Sequence, residues 1–345
     1  LSRVVNIGGV LIGGGNPVAI QSMTNTDTSD MEKTVEQILA LEKAGCEIVR
    51  LSAHNEKAAK AFSDIKQKVK IPIVADIHFD YKLAIIAIEN GADKIRINPG
   101  NIGNEEKVRK VIDAAKAARI PIRVGVNGGS LEKDILKEYG NTAEGLAKSG
   151  IENIRLLEDM GFSEIVISVK SSNVFKTVEA NRILSKETDC PIHIGVTEAG
   201  TYENSIIKSS AALAPLLMEG IGDTIRVSIT GDPVKEIYAA RKILNSIGIR
   251  KFGVEVISCP TCARTSIDIE KLANDIEKIL VDFDKPIKVA VMGCVVNGPG
   301  EAKDADIGVA GGIGEGLIFA KGEKIVKVKE EDLLETLKNY ILEKF

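Results

Sequence analysis

The strongest constraint on this chain is an alternation that repeats eight times. Short β-branched runs at 18–21, 48–51, 73–76, 94–97, 122–126, 164–169, 192–196 and 224–228 are each followed by a longer amphipathic stretch. Those stretches lie at 31–44, 56–69, 81–90, 105–118, 142–160, 174–187, 205–218 and 234–245. Gly45, Pro72, Gly91, Pro121, Gly161 and Pro191 punctuate the junctions. Strand–helix alternation means parallel strands joined by right-handed crossovers. Eight such units of about 28 residues predict an α/β fold of the (β/α)8 TIM-barrel type. A doubly wound sheet fits less well, because it places a nucleotide loop after its first strand. Here the glycine-rich turn Gly13-Gly14-Gly15-Asn16-Pro17 comes before the first strand and is expected to form a hairpin or lead-in that plugs one end of the barrel. There is no Walker A motif, and Gly312-Ile313-Gly314-Glu315-Gly316 lacks the third glycine of a dinucleotide fingerprint.

The pattern changes near 248–253. Beyond it the sequence predicts a strand at 254–258, a helix at 267–281, a strand at 287–292 and a Gly/Pro-rich loop. Short strands near 307–310, 317–320 and 325–328 and a helix at 331–343 complete it. The expected division is a barrel, 1–248, and a small α/β domain, 249–345, a length that suits both. Trp is absent and aromatics make up 4%, so Ile, Val, Leu and Ala must build the cores. Lys plus Arg number 45 against 49 Asp plus Glu, a net charge of −4 that argues against nucleic-acid binding. Any anion site must therefore come from local clustering of cations. No apolar run approaches the roughly 18 residues of a membrane span. The opening Leu1-Ser2-Arg3-Val4 carries no signal-peptide pattern and no initiator Met, so a few residues are expected to have preceded it. Five cysteines, an odd number, do not form a disulfide framework, and a reducing cytoplasmic location is expected.

Three of those cysteines fall in the second domain. Cys259-Pro260-Thr261-Cys262 follows one strand directly, and Cys294 follows the next. If these strands are parallel neighbours, three thiolates converge at one sheet edge, and a tetrahedral or cubane site wants a fourth ligand. Cys46 and Cys190 each precede a barrel strand and are expected to be buried small hydrophobes. Glu301, at the end of Asn297-Gly298-Pro299-Gly300-Glu301, is the nearer candidate. Structural zinc and an iron–sulfur cluster both fit the thiols. A carboxylate ligand favours a cluster with one exchangeable iron, because structural zinc sites are closed by Cys and His.

Barrel active sites lie at the C-terminal ends of the strands. From the second strand onward those ends are polar: Arg50; Asp76 and His78; Arg96 and Asn98; Arg123 and Asn127; Lys170; His193, then Thr197 and Glu198; Arg226 and Ser228. Period-two alternation turns Arg96 with Asn98, and Arg226 with Ser228, to the same inward face. Arg50, Arg96, Arg123, Lys170 and Arg226 thus converge on one mouth, where Asp76 and Glu198 are expected to offset only part of the charge. Unpaired cations in a low-dielectric mouth are costly, and Arg forks suit phosphate oxygens. The expected ligand carries two phosphates or a diphosphate. His78 and His193 read as hydrogen-bonding groups of the rim or floor, and Glu198 is the candidate general acid.

These residues are recognisable together. Gln21-Ser22-Met23-Thr24-Asn25-Thr26, Ala75-Asp76-Ile77-His78-Phe79-Asp80, Arg96-Ile97-Asn98-Pro99-Gly100-Asn101-Ile102-Gly103 and Gly195-Val196-Thr197-Glu198-Ala199-Gly200 accompany the cysteine motifs. The chain resembles the 4-hydroxy-3-methylbut-2-enyl diphosphate synthase family, iron–sulfur enzymes of the non-mevalonate isoprenoid pathway, over essentially its whole length and in the short bacterial form. Ala263 and Gly128 depart from the family pattern and touch no proposed ligand. The resemblance implies a [4Fe-4S] cluster held by Cys259, Cys262, Cys294 and Glu301, the last giving way to substrate. It implies reductive ring opening of 2-C-methyl-D-erythritol 2,4-cyclodiphosphate to the linear hydroxymethylbutenyl diphosphate, with two electrons from ferredoxin or flavodoxin and loss of water. Substrate and phosphate contacts are implied at Arg50, Arg96, Arg123, Asn127, Lys170, Thr197, Arg226 and Ser228, with Glu198 close to the reacting carbons. A homodimer is implied in which one chain's cluster domain caps the partner's barrel. Two rival readings stand beside it. One is a zinc-stapled barrel lyase or aldolase on a sugar phosphate, with Lys170 as a Schiff-base residue. The other is a non-catalytic iron–sulfur sensor, which the polar crown does not suit.

Overall fold

The eightfold alternation folds into a ring of parallel strands. A computed structural model describes residues 1–129, 131–281, 283–294, 300 and 302–345. The chain divides into two compact units, Leu1–Arg250 and Lys251–Phe345.

The first unit opens with an antiparallel hairpin, β1 (Val5–Ile7) and β2 (Val10–Ile12). Its turn is Gly8-Gly9, both at positive φ, the combination a two-residue hairpin turn demands. The sequence reading left Gly13–Gly15 as either a hairpin or a lead-in. The second holds: those glycines form the lead into the barrel, where a Cβ on Gly13 would stand 2.0 Å from the Arg3 carbonyl oxygen. The barrel strands follow: β3 (Ala19–Met23), β4 (Ile48–Ser52), β5 (Ile73–Asp76), β6 (Lys94–Ile97), β7 (Ile122–Asn127), β8 (Ile165–Lys170), β9 (His193–Ile194) and β10 (Thr224–Ile225). Each pairs in parallel with its neighbour in sequence, and β10 pairs with β3. A single bridge, Ile167 to Ile192, closes the ring between β8 and β9. Strands such as β5 and β8 are buried along their whole length, as parallel strands covered on both faces must be.

Helices return the chain between strands, and polar caps start many of them. Asp30, Asn55, Asp80, Asn98, Asn104, Thr142 and Asn173 each accept a backbone N–H of the first turn. The stretch 56–69 is not one helix but two, Glu56–Lys60 and Phe62–Lys66, bent at Ala61 so that Ala58, Ala59, Phe62 and Ile65 are all buried. Two helices escaped the sequence reading, Pro99–Ile102 and Lys133–Tyr139. At the floor, Val5, Ile7 and Ile12 of the hairpin pack with Ala19, Ile48, Val74 and Val166 from the strand starts, so the expected plug is present. Cys46 and Cys190 are buried just ahead of β4 and β9, and burial pushes the Cys46 thiol up to about 12.

The second unit is a five-stranded mixed sheet in the order β11 (Val254–Ser258), β12 (Ile287–Met292), β13 (Ile307–Gly311), β14 (Glu315–Ala320), β15 (Glu323–Lys329). The first three are parallel, β14 runs antiparallel to β13, and β15 runs antiparallel to β14. Helices Ile269–Ile279 and Leu333–Lys344 cover one face, where Ile276, Val289, Val291, Val309, Ile318, Leu337 and Ile341 form the core. Ala290, Met292, Ala302, Ala305, Ala310, Leu317 and Phe319 pack together in a second, smaller cluster.

Candidate active site

Successive side chains of a strand alternate between faces, and this fixes what enters the barrel. The floor residues Ile48, Val74 and Val166 recur two positions later as Arg50, Asp76 and Ser168. Continuing the alternation adds Lys94 and Arg96 from β6, Arg123 from β7, Lys170 from β8, His193 from β9, Thr224 from β10 and Arg226 just beyond it. The expected cations are therefore brought together, with Lys94 as a further one the sequence reading missed.

Asp76 is the hub of one side. Its carboxylate lies 3.3 Å from Arg96 Nη1 and 3.7 Å from Arg50 Nε. Burial opposes its ionisation, but Arg50, Arg96, His78 and Arg123 outweigh burial and hold the carboxyl below its ordinary range. Arg50 also directs Nε and Nη2 at the Met23 sulfur, at 3.1 and 2.9 Å. Burial brings its guanidinium down to about 10. On the other side Arg226 grips Glu236 through two bonds of 3.0 Å. Glu236 also accepts from Ser22 Oγ at 2.7 Å and from the Ile229 N–H at 3.0 Å. This corrects the sequence reading. The second carboxylate that offsets the crown is Glu236, at the start of helix Val234–Ser246, not Glu198. Glu236 was missed because an acidic residue in a first helical turn reads as a dipole partner.

The centre of the mouth is undersatisfied. Arg123 is 1% exposed, and none of its three guanidinium nitrogens has a hydrogen-bond partner among the described residues. Burial, then Arg50 and Arg96, hold its proton affinity far below normal. Lys94 Nζ lies 3.3 Å from Gln21 Oε1, and burial depresses its pKa strongly. Lys170 Nζ lies 3.0 Å from His193 Nε2, and His193 Nδ1 lies 2.7 Å from Thr224 Oγ1. Two glycines make room for these heads. A Cβ on Gly125 would stand 2.4 Å from Arg96 Nε, and one on Gly195 2.9 Å from Lys170 Nζ. A period-two reading of Arg123, Gly125 and Asn127 carries that signal. Six basic side chains thus share two buried carboxylates, a balance that a polyanion restores.

The remaining expected residues lie at the strand ends or past them. Asn98 is buried and caps the helix Pro99–Ile102. Asn127 ends β7. Strands β9 and β10 stop earlier than expected, so Thr197, Glu198, Arg226 and Ser228 stand in loops. The Thr197 N–H donates to the Ser171 carbonyl at 3.3 Å, and the Ser228 carbonyl accepts from Ser205 Oγ at 2.7 Å. Glu198 is exposed and left-handed at φ +52°, a conformation that side chains adopt only when their surroundings impose it. His78 is exposed, whereas His193 is fully buried and hydrogen-bonded, as its floor reading required.

In the second unit β11 and β12 are parallel neighbours, so the loops bearing Cys259 and Cys294 leave the same sheet edge. The Gly293 N–H donates to Cys259 Sγ at 3.2 Å. The Cys262 turn docks beside it: Thr265 Oγ1 accepts the Cys262 N–H, and the Ser266 N–H donates to the Gly293 carbonyl. Backbone and side-chain hydrogen bonds from Arg264 lower the Cys262 thiol. Cys262 is exposed, and Cys259 and Cys294 are half-buried. Glu301 lies outside the described residues. Among the described residues no three His, Cys, Asp or Glu side chains are grouped to hold a metal ion.

Fold and site define a (β/α)8-barrel protein with a cation-lined mouth, followed by a cysteine-bearing α/β unit. The chain belongs to the GcpE family: residues 2–241 match the GcpE TIM-barrel domain and residues 255–343 the GcpE protein C-terminal domain. It is 60% identical over 338 residues to 4-hydroxy-3-methylbut-2-en-1-yl diphosphate synthase (flavodoxin) of Caldanaerobacter subterraneus, covering 98% of this chain and 95% of that one. The protein of the same name from Clostridium acetobutylicum is 58% identical, covering 97% of each chain. That from Fusobacterium nucleatum is 54% identical, covering 99% of this chain and 97% of that one. Among solved structures, dihydropteroate synthase of Stenotrophomonas maltophilia aligns with a TM-score of 0.52 at 15% identity, over 72% of this chain and 98% of that one. That of Yersinia pestis aligns at 0.51 and 12%, over 72% and 100%. These likenesses speak to the barrel fold alone.

Proposed function

We propose that this chain performs the reaction its relatives are named for. It converts 2-C-methyl-D-erythritol 2,4-cyclodiphosphate into (E)-4-hydroxy-3-methylbut-2-enyl diphosphate, taking up two electrons and releasing water. The observation that carries this reading is identity of up to 60% along 98% of the chain with synthases of that name. The barrel mouth supports it independently, because Arg123 is buried with unused donors beside Arg50, Arg96 and Lys170.

Within this reading Arg50, Arg96, Arg123, Lys170 and Arg226 grip the diphosphate, with Asn127, Thr197 and Ser228 at the rim. Glu198 stands at the reacting carbons and delivers the proton that lets the hydroxyl leave as water. The second unit suits a [4Fe-4S] cluster. Its thiols share one sheet edge, a backbone N–H already donates to Cys259 Sγ, and the Cys262 thiol is lowered, which favours the thiolate that iron binds. Cys259, Cys262 and Cys294 would hold it, with Glu301 as the fourth ligand that yields to substrate. When bound, the group supplies electrons one at a time. Flavodoxin is the donor in this reading, taken from the relatives' names, and ferredoxin is the alternative. No described helix is long and apolar enough to cross a membrane. We place the enzyme in the cytoplasm, as a homodimer whose cluster unit serves the partner's barrel.

Metal analysis and turnover of anaerobically reconstituted protein test the reading. About four irons and four sulfides per chain, with conversion of the cyclodiphosphate under a low-potential reductant, are expected. One zinc and no sulfide would overturn the reading and favour a barrel lyase. For the dimer, an inactive Arg123 variant mixed with an inactive Cys259 variant should regain activity. Full activity in a monomer contradicts the shared site.

A further inference from the structure

Behind Lys170, one of the residues assigned to the diphosphate, a hydrogen-bonded chain runs into the barrel through two residues that the reading above does not use. It runs from Lys170 Nζ to His193 Nε2, 3.0 Å, and from His193 Nδ1 to Thr224 Oγ1, 2.7 Å. Lys170 is 8% exposed, and His193 and Thr224 are at 0%. The pair faces cations from almost every side. Arg123 projects from β7, Lys94 and Arg96 from β6, Arg50 from β4, and Arg226 from beyond β10. The barrel's buried carboxylates are engaged elsewhere, Asp76 by Arg50 and Arg96, and Glu236 by Arg226. Neither bonds the pair.

A protonated Lys170 in these surroundings adds one more charge to an unbalanced cluster. The chain can satisfy the neutral amine equally well. The imidazole then carries its hydrogen on Nε2 and donates to Lys170, while the Thr224 hydroxyl donates to Nδ1. With Lys170 as an ammonium the roles reverse: Nε2 accepts, and Nδ1–H donates to Thr224 Oγ1. A hydroxyl serves either tautomer because it both donates and accepts. Burial depresses both strongly, followed by the surrounding guanidiniums for Lys170 and by Lys170 itself, then Arg123, for His193, which favours the neutral arrangement while the mouth holds no anion.

We propose that His193 is a positioning residue whose ring changes tautomer between Lys170 and Thr224, so that the cyclodiphosphate binds together with one proton taken from solvent. The proton ends on Lys170 Nζ, no covalent bond to carbon or phosphorus changes, and the lysine becomes a cation only when its counter-charge has arrived. The proposal rests on the mouth being the cyclodiphosphate site.

The ligand itself is silent near neutrality, since each phosphorus of the cyclodiphosphate carries one strongly acidic oxygen. Oxidised holoenzyme without reductant binds it without turnover. Titration calorimetry at about pH 8, where an ordinary histidine is already neutral, in buffers of different ionisation enthalpy, should show uptake of about one proton per ligand. Affinity should fall by up to about tenfold per pH unit on the alkaline side. The chain has three histidines, so 15N-labelled His193 is resolvable, and its ring should pass from the Nε2–H to the Nδ1–H form on binding. Lys170→Met should abolish the uptake. Thr224→Val should weaken binding by about tenfold, and Thr224→Ser should restore it. Binding without proton uptake, uptake that survives Lys170→Met, or an unchanged His193 tautomer overturns the proposal alone. No binding at all overturns the cyclodiphosphate site and this proposal with it.

Discussion

At the floor of the barrel, Val5, Ile7 and Ile12 meet Ala19, Ile48, Val74 and Val166. Two residues further along the same strands stand Gln21, Arg50, Asp76 and Ser168. The floor is all carbon and its groups lack nothing. The upper layer holds a guanidinium without hydrogen-bond partners among the described residues, two depressed lysines and a depressed histidine. One set of strands thus carries a layer whose side chains favour folding and a layer whose side chains oppose it. The second persists because the first, together with the return helices, outweighs its cost. Conflict between local chemistry and stability marks the functional end.

The largest effect that sharpens this contrast belongs to Glu236→Ala. It strands the Arg226 guanidinium, Ser22 and the Ile229 N–H together. Denaturant titration should show a loss of about 3–5 kcal/mol, the range for breaking a buried ion pair. Ile7→Ala in the floor should cost about 2–5 kcal/mol and leave cyclodiphosphate affinity unchanged. Altered affinity there would break the separation of the two layers. Arg123→Met should go the other way, raising stability by about 1–4 kcal/mol, as replacement of poorly compensated buried charge can do, while ligand binding is lost. A destabilised Arg123→Met protein would mean that the cation is compensated after all.

The pH dependence gives the finest test. A lysine depressed in the folded state binds fewer protons there than in the unfolded chain. Stability therefore rises with pH between the folded pKa and the ordinary value near 10.4. Lys94 and Lys170 both act in this sense, and His193 does so below its ordinary value of about 6.5. The ligand-free protein should gain up to about 1.4 kcal/mol per pH unit for each such group on the alkaline side. Lys170→Met should flatten that slope. Asp76 acts at the acid end. Its depressed carboxyl contributes stability at neutral pH that is lost only as pH falls from about 3.9 through its lower folded value.

Much of this was legible beforehand. The strands Ile73–Asp76 and Lys94–Ile97 and the helices Met31–Ala44, Glu105–Ala118 and Val174–Glu187 match residue for residue, because hydrophobic period and caps agree there. The parallel pairing that brings the Cys259 and Cys294 loops to one edge was also readable. Legibility failed where side chains meet from distant strands. Lys94 opens a strand and looks like a flank, yet it is fully buried against Gln21. Arg226 seemed free, yet its partner comes from the following helix. The ends of β9 and β10 carry strand-like residues, yet the regular pairing stops at Ile194 and Ile225, with only the Arg226 N–H to Ile194 carbonyl bond beyond it.

The hairpin that seals the floor also sets an order of events during synthesis. It lies within the first dozen residues of this sequence, yet just ahead of it Arg3 bonds to Asp189, and Ser2 Oγ reaches Asp223 at 2.7 Å. While a ribosome is still making the chain, this segment can meet the starts of the first three strands, but its polar anchors wait for the residues just ahead of the seventh and eighth. The floor of a nascent barrel is therefore not fully anchored until the barrel is nearly finished, and a segment made ahead of every strand is among the last to be fixed in place.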